Sequence, residues 1–354
     1  MSTIGERPGV YASYEVAGVS YSGLTSGTVG VAAAAASGTS GAVYTITTYA
    51  EAVSAFGAAS RLTELVRILI TNGVGTVKAV PLIPMGGAEP TIVAYAQAFN
   101  ALAADADVKA ILCDSRSSDV TAALKTVLTS ADERMHHKIG IVEGTGTVAT
   151  DTAAAAALNT ERIVLVTPPA VLEDGTEAAT GTLAAAVAGA VVTESDPAIP
   201  LNGAELYGVT GVSAALTDSQ ITTLVRGGVT PVECVGGKCT VVRGITTRTT
   251  TAGTADPTYR ELTTTLIIDD VIPTVRNALA ASFARSKNNA QTRGAIRTRV
   301  IMELEKKMAA EIIDGYDNVT VSVNANDPTV CDVSFEFTVA HGLNQIRLAA
   351  YITV

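Results

Sequence analysis

Apolar and polar positions alternate along the first two thirds of the chain in a way that predicts strands and helices in turn. Short apolar runs, typical of buried strands, recur at 29–36, 77–82, 110–114, 138–143 and 163–167. Between them lie segments with apolar residues three and four positions apart, such as Leu62, Leu65, Val66 and Leu69, which is the spacing of one helix face. All-apolar strands separated by helices are typical of a sheet covered on both faces. The pattern therefore predicts a three-layer α/β body.

Local signals place the ends of several helices. Gly57 ends the short helix that follows a strand at Thr45, and Asn72-Gly73 ends the next helix, because glycine and asparagine adopt the backbone conformation that closes a helix. Thr217 and Gln220 have the spacing of a capping box, which predicts the start of another helix.

The pattern changes after Asp196-Pro197 to that of an α+β domain. A hairpin is predicted over 233–242, a loop over 246–258 and a helix over 262–283, with Pro273 expected to break or kink it. An amphipathic helix follows, because apolar residues recur every four positions at Ile296, Val300, Leu304, Met308 and Ile312. Glu303 and Lys307 add an expected i,i+4 ion pair.

Both ends of the chain have strand-like patterns without an evident partner. Residues 1–28 are rich in Gly, Ser and Tyr and are interpreted as an extended arm, the alternative being a frayed terminus. Apolar residues alternate strictly from Ile346 to Val354, so this segment needs a sheet in its own molecule or in a neighbour. The predicted organisation is an arm over 1–28, an α/β domain over 29–200, an α+β domain over 201–339 and a strand arm over 340–354.

Composition and charge exclude several function classes. Hydrophobic residues make up 47% of the 354 residues and charged residues 16%, which is not the composition of a disordered chain. Aromatic residues make up only 4%, which leaves little lining for a small-molecule pocket. The net charge of -10 argues against nucleic-acid binding.

One window departs from the acidic balance. Residues 285–307 contain seven basic and two acidic residues, a net charge of +5. The window is interpreted either as a surface for an acidic partner or as an ordinary solvated helix face, and both interpretations stay open.

The chain shows no pattern for export or membrane insertion. No apolar stretch follows Met1 in the manner of a signal peptide. The uncharged, Ala-rich run 178–193 has 16 residues with two glycines, which is short for a membrane span. We therefore expect synthesis in the cytosol. There the thiols of Cys234 and Cys239, which face each other if Gly236-Gly237 is a two-residue turn, are expected to stay reduced rather than bonded.

The sequence offers weak candidates for catalysis. The Gly144–Ala149 turn follows a strand and precedes a helix, as a dinucleotide-binding turn does. However, the next strand ends in Thr167-Pro168-Pro169 and not in the acidic residue that binds ribose. His136 and His137 are interpreted as a solvated helix end, and Asp269 and Asp270 as capping or ion-pairing residues that point apart. We predict no catalytic residue, no cofactor and no metal.

Several motifs resemble those of contractile tail sheath proteins from phages, R-type bacteriocins and related injection systems. Arg7-Pro-Gly-Val-Tyr11 is similar to the N-terminal opening of that family, and Thr45–Gly57 to its strand and short helix ending in Phe-Gly. Leu201–Gly211, Leu216-Thr217 and the helix and hairpin over 222–239 are similar to the start of its C-terminal domain. Arg243-Gly-Ile-Thr-Thr247 departs from the Trp-Gly-Ala-Arg-Thr that many members carry, as does the lack of an aromatic-rich linker before residue 200.

The resemblance implies a structural subunit and not an enzyme. Members add terminal strands to a sheet of neighbouring subunits, form an open helix around an inner tube, and contract without a nucleotide-dependent step. The expected arm residues are Arg7, Pro8, Gly9, Val10, Tyr11, Ile346, Leu348, Ala350, Ile352 and Val354. The expected tube-facing residues are Arg285, Lys287, Arg293 and Arg297.

The resemblance also implies partners and a location. The expected partners are further copies of the chain, the inner tube protein, and baseplate and terminator proteins, with no nucleic acid and no membrane insertion. Assembly is expected in the bacterial cytoplasm, with release by lysis. Two alternatives remain: a nucleotide-dependent enzyme that uses the 144–149 turn, and a self-assembling surface-layer protein.

Overall fold

The computed structural model describes residues 27–84, 89–172, 175–283 and 285–344. The expected arm residues at 7–11 and 346–354 lie outside these ranges.

A nine-stranded mixed sheet forms the centre of the molecule. Its strands in chain order are β1 (Thr28–Ala34), β2 (Tyr44–Ile46), β3 (Val77–Leu82), β4 (Val108–Cys113), β5 (Ile139–Glu143), β6 (Ile163–Thr167), β8 (Glu205–Leu206), β10 (Thr230–Val235) and β11 (Lys238–Val241). Their order across the sheet is β2-β3-β1-β4-β5-β6-β10-β11-β8. The six central strands, β3, β1, β4, β5, β6 and β10, run parallel. At one edge β2 pairs antiparallel with β3, and at the other β11 pairs antiparallel with both β10 and β8. Strands from both sides of the predicted domain boundary at residue 200 belong to this sheet: β6 precedes the boundary, and β8, β10 and β11 follow it.

Helices cover both faces of this sheet. On one face lie α1 (Tyr49–Phe56), α2 (Arg61–Thr71) and α6 (Thr182–Thr193). On the other lie α3 (Ile92–Ala104), α4 (Ser118–Glu133), α5 (Val148–Leu158) and α7 (Asp218–Arg226). The predicted three-layer body is confirmed. The capping box of Thr217 and Gln220 is present at the start of α7, and α1 ends at Gly57 as predicted.

The helices α2 and α6 approach each other closely at Gly189. A β-carbon at this position would lie 2.4 Å from Cβ of Asn72, so only glycine fits without a shift of one helix. The Asn72 side chain then donates to the carbonyl of Tyr207 at 2.8 Å and accepts from its N–H at 2.9 Å. Asn72 thereby attaches the segment after residue 200 to the α/β body.

The C-terminal unit consists of two helices and one hairpin. Its elements are α8 (Leu262–Phe283), α9 (Ala290–Ala309), β14 (Ile313–Val323) and β15 (Cys331–Val339). The helix α8 is continuous through Pro273, so of the two predicted effects, a break or a kink, the break is wrong. Residues on both sides of the proline, Val271 and Val275, are buried in the same apolar cluster with Val300 and Leu304 of α9, and this packing holds the helix together.

The hairpin of β10 and β11 has the predicted two-residue turn. Gly236 and Gly237 adopt φ of 60° and 81°, and Cys234 lies directly opposite Cys239 with their α-carbons 4.0 Å apart. The two cysteines form a disulfide, so the expectation of reduced thiols is wrong. The predicted loop at 246–258 contains the short ladder β12 (Thr250–Thr251) and β13 (Thr254–Ala255), and β7 (Ala170–Val171) pairs with β9 (Gly211–Val212).

Candidate assembly surfaces

The hairpin of β14 and β15 is a sheet of only two strands. Its inward residues, among them Val333, Phe335 and Phe337, pack against the cluster of α8 and α9. The residues that alternate with them, Asp332, Ser334, Glu336 and Thr338, are exposed. Within the described ranges no third strand pairs with either edge. Both strands therefore present a row of backbone N–H and C=O groups, which is what an added strand requires.

A bulge interrupts the hairpin beside helix α9. Asn318 has a φ of 53°, and the register shifts between Asp317 and Thr320. The guanidinium of Arg297 donates to the carbonyl of Val319 at 2.9 Å. The bulge leaves this carbonyl free of the ladder, so Arg297 satisfies it and joins α9 to the strand.

The basic window divides into two groups. Arg299 and Lys306 form ion pairs with Glu303 at 2.9 and 3.1 Å, and Lys307 forms one with Asp270 at 2.5 Å. The expected Glu303–Lys307 pair is therefore wrong. The four expected tube-facing residues form no ion pair with any residue that the structure describes: Arg285, Lys287, Arg293 and Arg297.

Their placement leaves these four charges available. Arg285 and Lys287 are exposed in the turn between α8 and α9, and Arg297 is exposed on α9. Arg293 is half-buried and donates to the side-chain oxygen of Asn288 at 3.1 Å. The α8–α9 turn and the first half of α9 thus carry positive charge that no carboxylate in the described chain neutralises.

The two ends of the described chain lie on the same segment, residues 192–202. The N–H of Gly27 donates to the carbonyl of Val192 at 3.1 Å. Near the other end, the side chain of Asn202 donates to that of Asn344 at 2.5 Å. A groove of about 1190 Å³ borders this segment, between the amino-terminal edge of the sheet and α8. The first and last residues of the described chain, Gly27 and Asn344, are thus both hydrogen-bonded to this segment.

The glycine turn considered for nucleotide binding is filled by a side chain of the protein itself. The carboxylate of Asp151, which is 1% exposed, accepts hydrogen bonds from the N–H groups of Thr145 at 2.7 Å and Gly146 at 3.1 Å. A phosphate in such a turn would need the same donors. Asp151 therefore occupies the place that a nucleotide phosphate would take in the alternative interpretation, a nucleotide-dependent enzyme.

Two more carboxylates occupy the same edge of the sheet. Asp114, after β4, accepts from the Tyr95 hydroxyl at 2.5 Å and the N–H of Ala34 at 3.0 Å. Glu143, at the end of β5, pairs with Arg116 at 2.5 Å, and burial raises the pKa of Glu143 while Arg116 opposes that rise. In open α/β sheets this edge is where ligands bind. Here internal partners hold Asp114 and Glu143, and a cavity of about 380 Å³ remains beside Asp114 and Arg116.

His137 is not the solvated residue that the sequence predicts. Only 12% of its side chain is exposed, and its Nδ1 lies 2.6 Å from Asp132 and 3.6 Å from Asp269; its neighbour His136 is exposed. These three side chains could each offer one metal ligand. However, Arg162 already forms ion pairs with Asp132 at 2.8 Å and Asp269 at 2.5 Å, so a guanidinium supplies the positive charge there. Asp269 and Asp270 do point apart, toward Arg162 and Lys307.

Family models match most of the chain in two consecutive parts. The model for the phage tail sheath protein central domain matches residues 88–247, and that for the phage tail sheath C-terminal domain matches residues 254–353. The chain belongs to the phage tail sheath family. It is thus a structural sheath subunit. A sequence comparison with curated proteins gives no match.

Three solved structures with the same fold are tail sheath proteins. A sheath tail protein from Desulfitobacterium hafniense is 14% identical, with a TM-score of 0.71 over 94% of this chain and 100% of that chain. The helical sheath of the anti-feeding prophage in its contracted state is 14% identical, with a TM-score of 0.71 over 99% of both chains. A sheath tail protein from Listeria innocua is 15% identical, with a TM-score of 0.69 over 88% of this chain and 95% of that chain. At these identities the likeness concerns the fold.

The structure bears on membrane association as well. None of the helices in the described ranges is both long enough and apolar enough to cross a membrane.

Proposed function

We propose that this tail sheath subunit polymerises helically around an inner tube, and that the polymer contracts to drive the tube through a target envelope. Neighbouring subunits are linked when the arms at 1–28 and 340–354 add strands to a sheet of another copy. The observation that carries this proposal is the β14–β15 hairpin, whose two edges are both open within the described chain. The chain has two arms that could each add a strand, and the hairpin has two edges that could each receive one.

The pattern of the C-terminal arm supports linkage between copies. The alternation of Ile346, Leu348 and Ile352 with polar residues provides the register that strand addition needs. The same acceptor on every copy gives a heterologous contact, which continues into an open helix.

Truncation and patterned substitution test the linkage. We expect deletion of residues 1–20, or of 345–354, to abolish striated tubes in negative-stain microscopy while the thermal unfolding of the body is unchanged. Leu348→Ser with Ile352→Ser should weaken assembly strongly, and the matched pair Arg347→Ser with Thr353→Ser should not. Normal tubes from either truncated chain would refute strand linkage.

We further propose that Arg285, Lys287, Arg293 and Arg297 face the inner tube. Their support is the lack of any ion pair to described residues, in contrast to Arg299, Lys306 and Lys307 in the same window. Unpaired cations on one surface favour an acidic partner and raise its association rate. The facing surface of the tube is therefore expected to be rich in carboxylates.

Charge reversal tests this surface. Arg293→Glu with Arg297→Glu should prevent co-assembly with the tube protein. Arg297 also donates a hydrogen bond to the Val319 carbonyl. Arg297→Gln removes the positive charge and keeps a side-chain donor, so it tests the charge apart from that hydrogen bond. The matched control is Lys125→Glu with Arg226→Glu, which makes the same charge change on the α/β body. Equal loss of co-assembly in both double variants would contradict a specific tube-facing surface.

The remaining parts of the proposal concern partners and location. The sheath polymer meets a baseplate at one end and a terminator at the other, assembles in the bacterial cytoplasm, and is released by lysis. The subunit has no catalytic step of its own in this scheme. The Asp151 carboxylate supports that view, since it occupies the turn that a nucleotide would need.

A further inference from the structure

Three side chains that can bind a metal ion converge where the α/β body meets helix α8. Asp132 lies near the end of α4, His137 lies in the connection from α4 to β5, and Asp269 lies in α8. Each offers one ligand atom, and these three atoms lie within 4.8 Å of one another. Among the described residues no other group of histidine, cysteine and carboxylate side chains meets this condition. The group is assembled by the tertiary fold and not by local sequence.

The hydrogen bonds of this group leave one buried oxygen without a donor. Nδ1 of His137 lies 2.6 Å from Oδ1 of Asp132, and the one proton that this nitrogen can carry serves that contact. Oδ1 of Asp269 lies 3.6 Å from the same nitrogen, which is beyond hydrogen-bonding distance, and it is buried without a hydrogen-bond partner. An orphaned buried acceptor is costly, and a bound ion is one of the few groups that satisfy it.

The charges of the group do not balance either. Asp132 and Asp269 contribute two carboxylates, and Arg162 is the one guanidinium that pairs with both. Side-chain exposure is 12% for His137 and 15% for Asp269, so solvent screens these charges little. Arg162 pairs with Oδ2 of Asp269 and leaves Oδ1 of that residue to another cation.

A bound ion would have access to solvent on one side. His137 and Asp269 both line the groove of about 1190 Å³ beside α8, so an ion can enter from it and water can complete the coordination shell. One imidazole nitrogen and two carboxylate oxygens with an open fourth position suit zinc. Magnesium prefers a shell made of oxygen atoms alone.

We propose that Asp132, His137 and Asp269 form a binding site for a divalent transition-metal ion such as Zn²⁺. The ion gives the orphaned oxygen of Asp269 a partner and supplies the positive charge that Arg162 alone does not. Two of the ligands belong to the α/β body and the third to α8, so the bound ion joins the body to the C-terminal unit beside the contacts of Arg162.

Zinc binding by the full chain tests the site. The parent is the Cys331→Ser chain, treated with EDTA, because Cys331 is a partly exposed free thiol and thiolates bind zinc themselves. We expect one zinc ion per chain in a calorimetric titration, and a higher melting temperature in ZnCl₂ than in MgCl₂ at equal concentration. His137→Gln and Asp269→Asn should each weaken the binding by about tenfold or more. The matched controls His136→Gln and Asp270→Asn should not alter it.

The controls change the neighbouring residue of the same type and leave the three ligands in place. His136 is exposed, and Asp270 pairs with Lys307 on α9. A further variant gives a readout that does not require loss of a ligand: Arg162→Met removes the guanidinium beside the carboxylates, so ZnCl₂ should raise its melting temperature by more than that of the parent. Absence of zinc binding by the parent, equal weakening in the controls, or an equal effect of zinc on Arg162→Met and the parent overturns the proposal.

Discussion

The guanidinium of Arg162 lies 2.5 Å from the carboxylate of Asp269 and joins the α/β body to helix α8. Side-chain exposure is 7% for Arg162 and 15% for Asp269, so water screens the pair little. Burial raises the pKa of Asp269, and Arg162 opposes that rise. The same arginine also contacts Asp132, which makes it the centre of the junction between the body and the C-terminal unit.

Removal of Arg162 should therefore destabilise the protein far more than removal of a surface cation. Arg162→Met leaves two carboxylates beside His137 without their main partner, and we expect a loss of about 3 kcal/mol in the free energy of unfolding. Lys238→Met, which breaks the exposed pair with Glu205, should cost no more than about 1 kcal/mol. Urea unfolding of the dispersed chain measures both, and similar losses would show that the junction is not buried in solution.

Two glycines in helices should respond to alanine in opposite directions. Gly189→Ala places a methyl group 2.4 Å from Cβ of Asn72, so α6 must move away from α2, and we expect a loss of roughly 2 kcal/mol. Gly294 in α9 has open space around its missing β-carbon, and alanine there should add about 0.5–1 kcal/mol through helix propensity. Thermal unfolding distinguishes the two; a neutral Gly189→Ala would contradict the close contact of the helices.

Lys138 should make stability increase with pH in the alkaline range. Its ammonium is buried and donates to the carbonyls of Asp105 at 2.6 Å and Val108 at 2.8 Å. Burial lowers the pKa of Lys138 from 10.5 to about 8. Between these two values the unfolded chain binds more protons than the folded chain, so the free energy of unfolding rises with pH over that window. The contribution is complete above 10.5 and is lost as the pH falls through 8.

The comparison that isolates this effect is with Lys138→Met. The difference in unfolding free energy between wild type and variant should shift in favour of wild type from pH 8 to 10. A difference that stays constant across that range would mean that Lys138 keeps an ordinary pKa in the folded protein.

The repeating layers of the fold could be predicted from local pattern. The strands at 77–82 and 163–167 begin and end where the apolar runs do, because a strand buried on both faces must be apolar throughout. The ends of α1 and the start of α7 followed from Gly57 and the Thr217 capping box. Strand bounds and helix ends of this kind depend on residues close together in the chain, so they can be predicted from the local sequence.

Features that depend on distant partners could not be predicted. His137 looked solvated because its sequence neighbours are charged, yet it lies beside Asp269 of the distant helix α8 as well as Asp132. Both of these carboxylates pair with Arg162. Lys307 pairs with Asp270 on the neighbouring helix and not with Glu303 on its own. Likewise, the glycine turn had the right local form for a nucleotide, and only the fold shows that Asp151 and Thr167 fill it.

Assembly should protect the β14–β15 hairpin on both of its edges. If arms from other copies add to the hairpin, the backbone N–H groups that point outward from β14 and from β15 become hydrogen-bonded, and their exchange with solvent should slow by about tenfold or more in the polymer. The β12–β13 hairpin provides a matched control, since it is also a two-stranded sheet with open edges among the described residues but has no proposed donor.

Hydrogen-exchange mass spectrometry of dispersed and polymerised chains separates the possible arrangements. Protection of both hairpin strands with unchanged exchange at 250–255 is the expected result, because the two arms require two acceptor edges. Protection of one strand alone would mean that a single arm links the subunits and that the other end of the chain binds elsewhere. Unchanged exchange in both strands would contradict strand addition at this hairpin, whatever the appearance of the tubes.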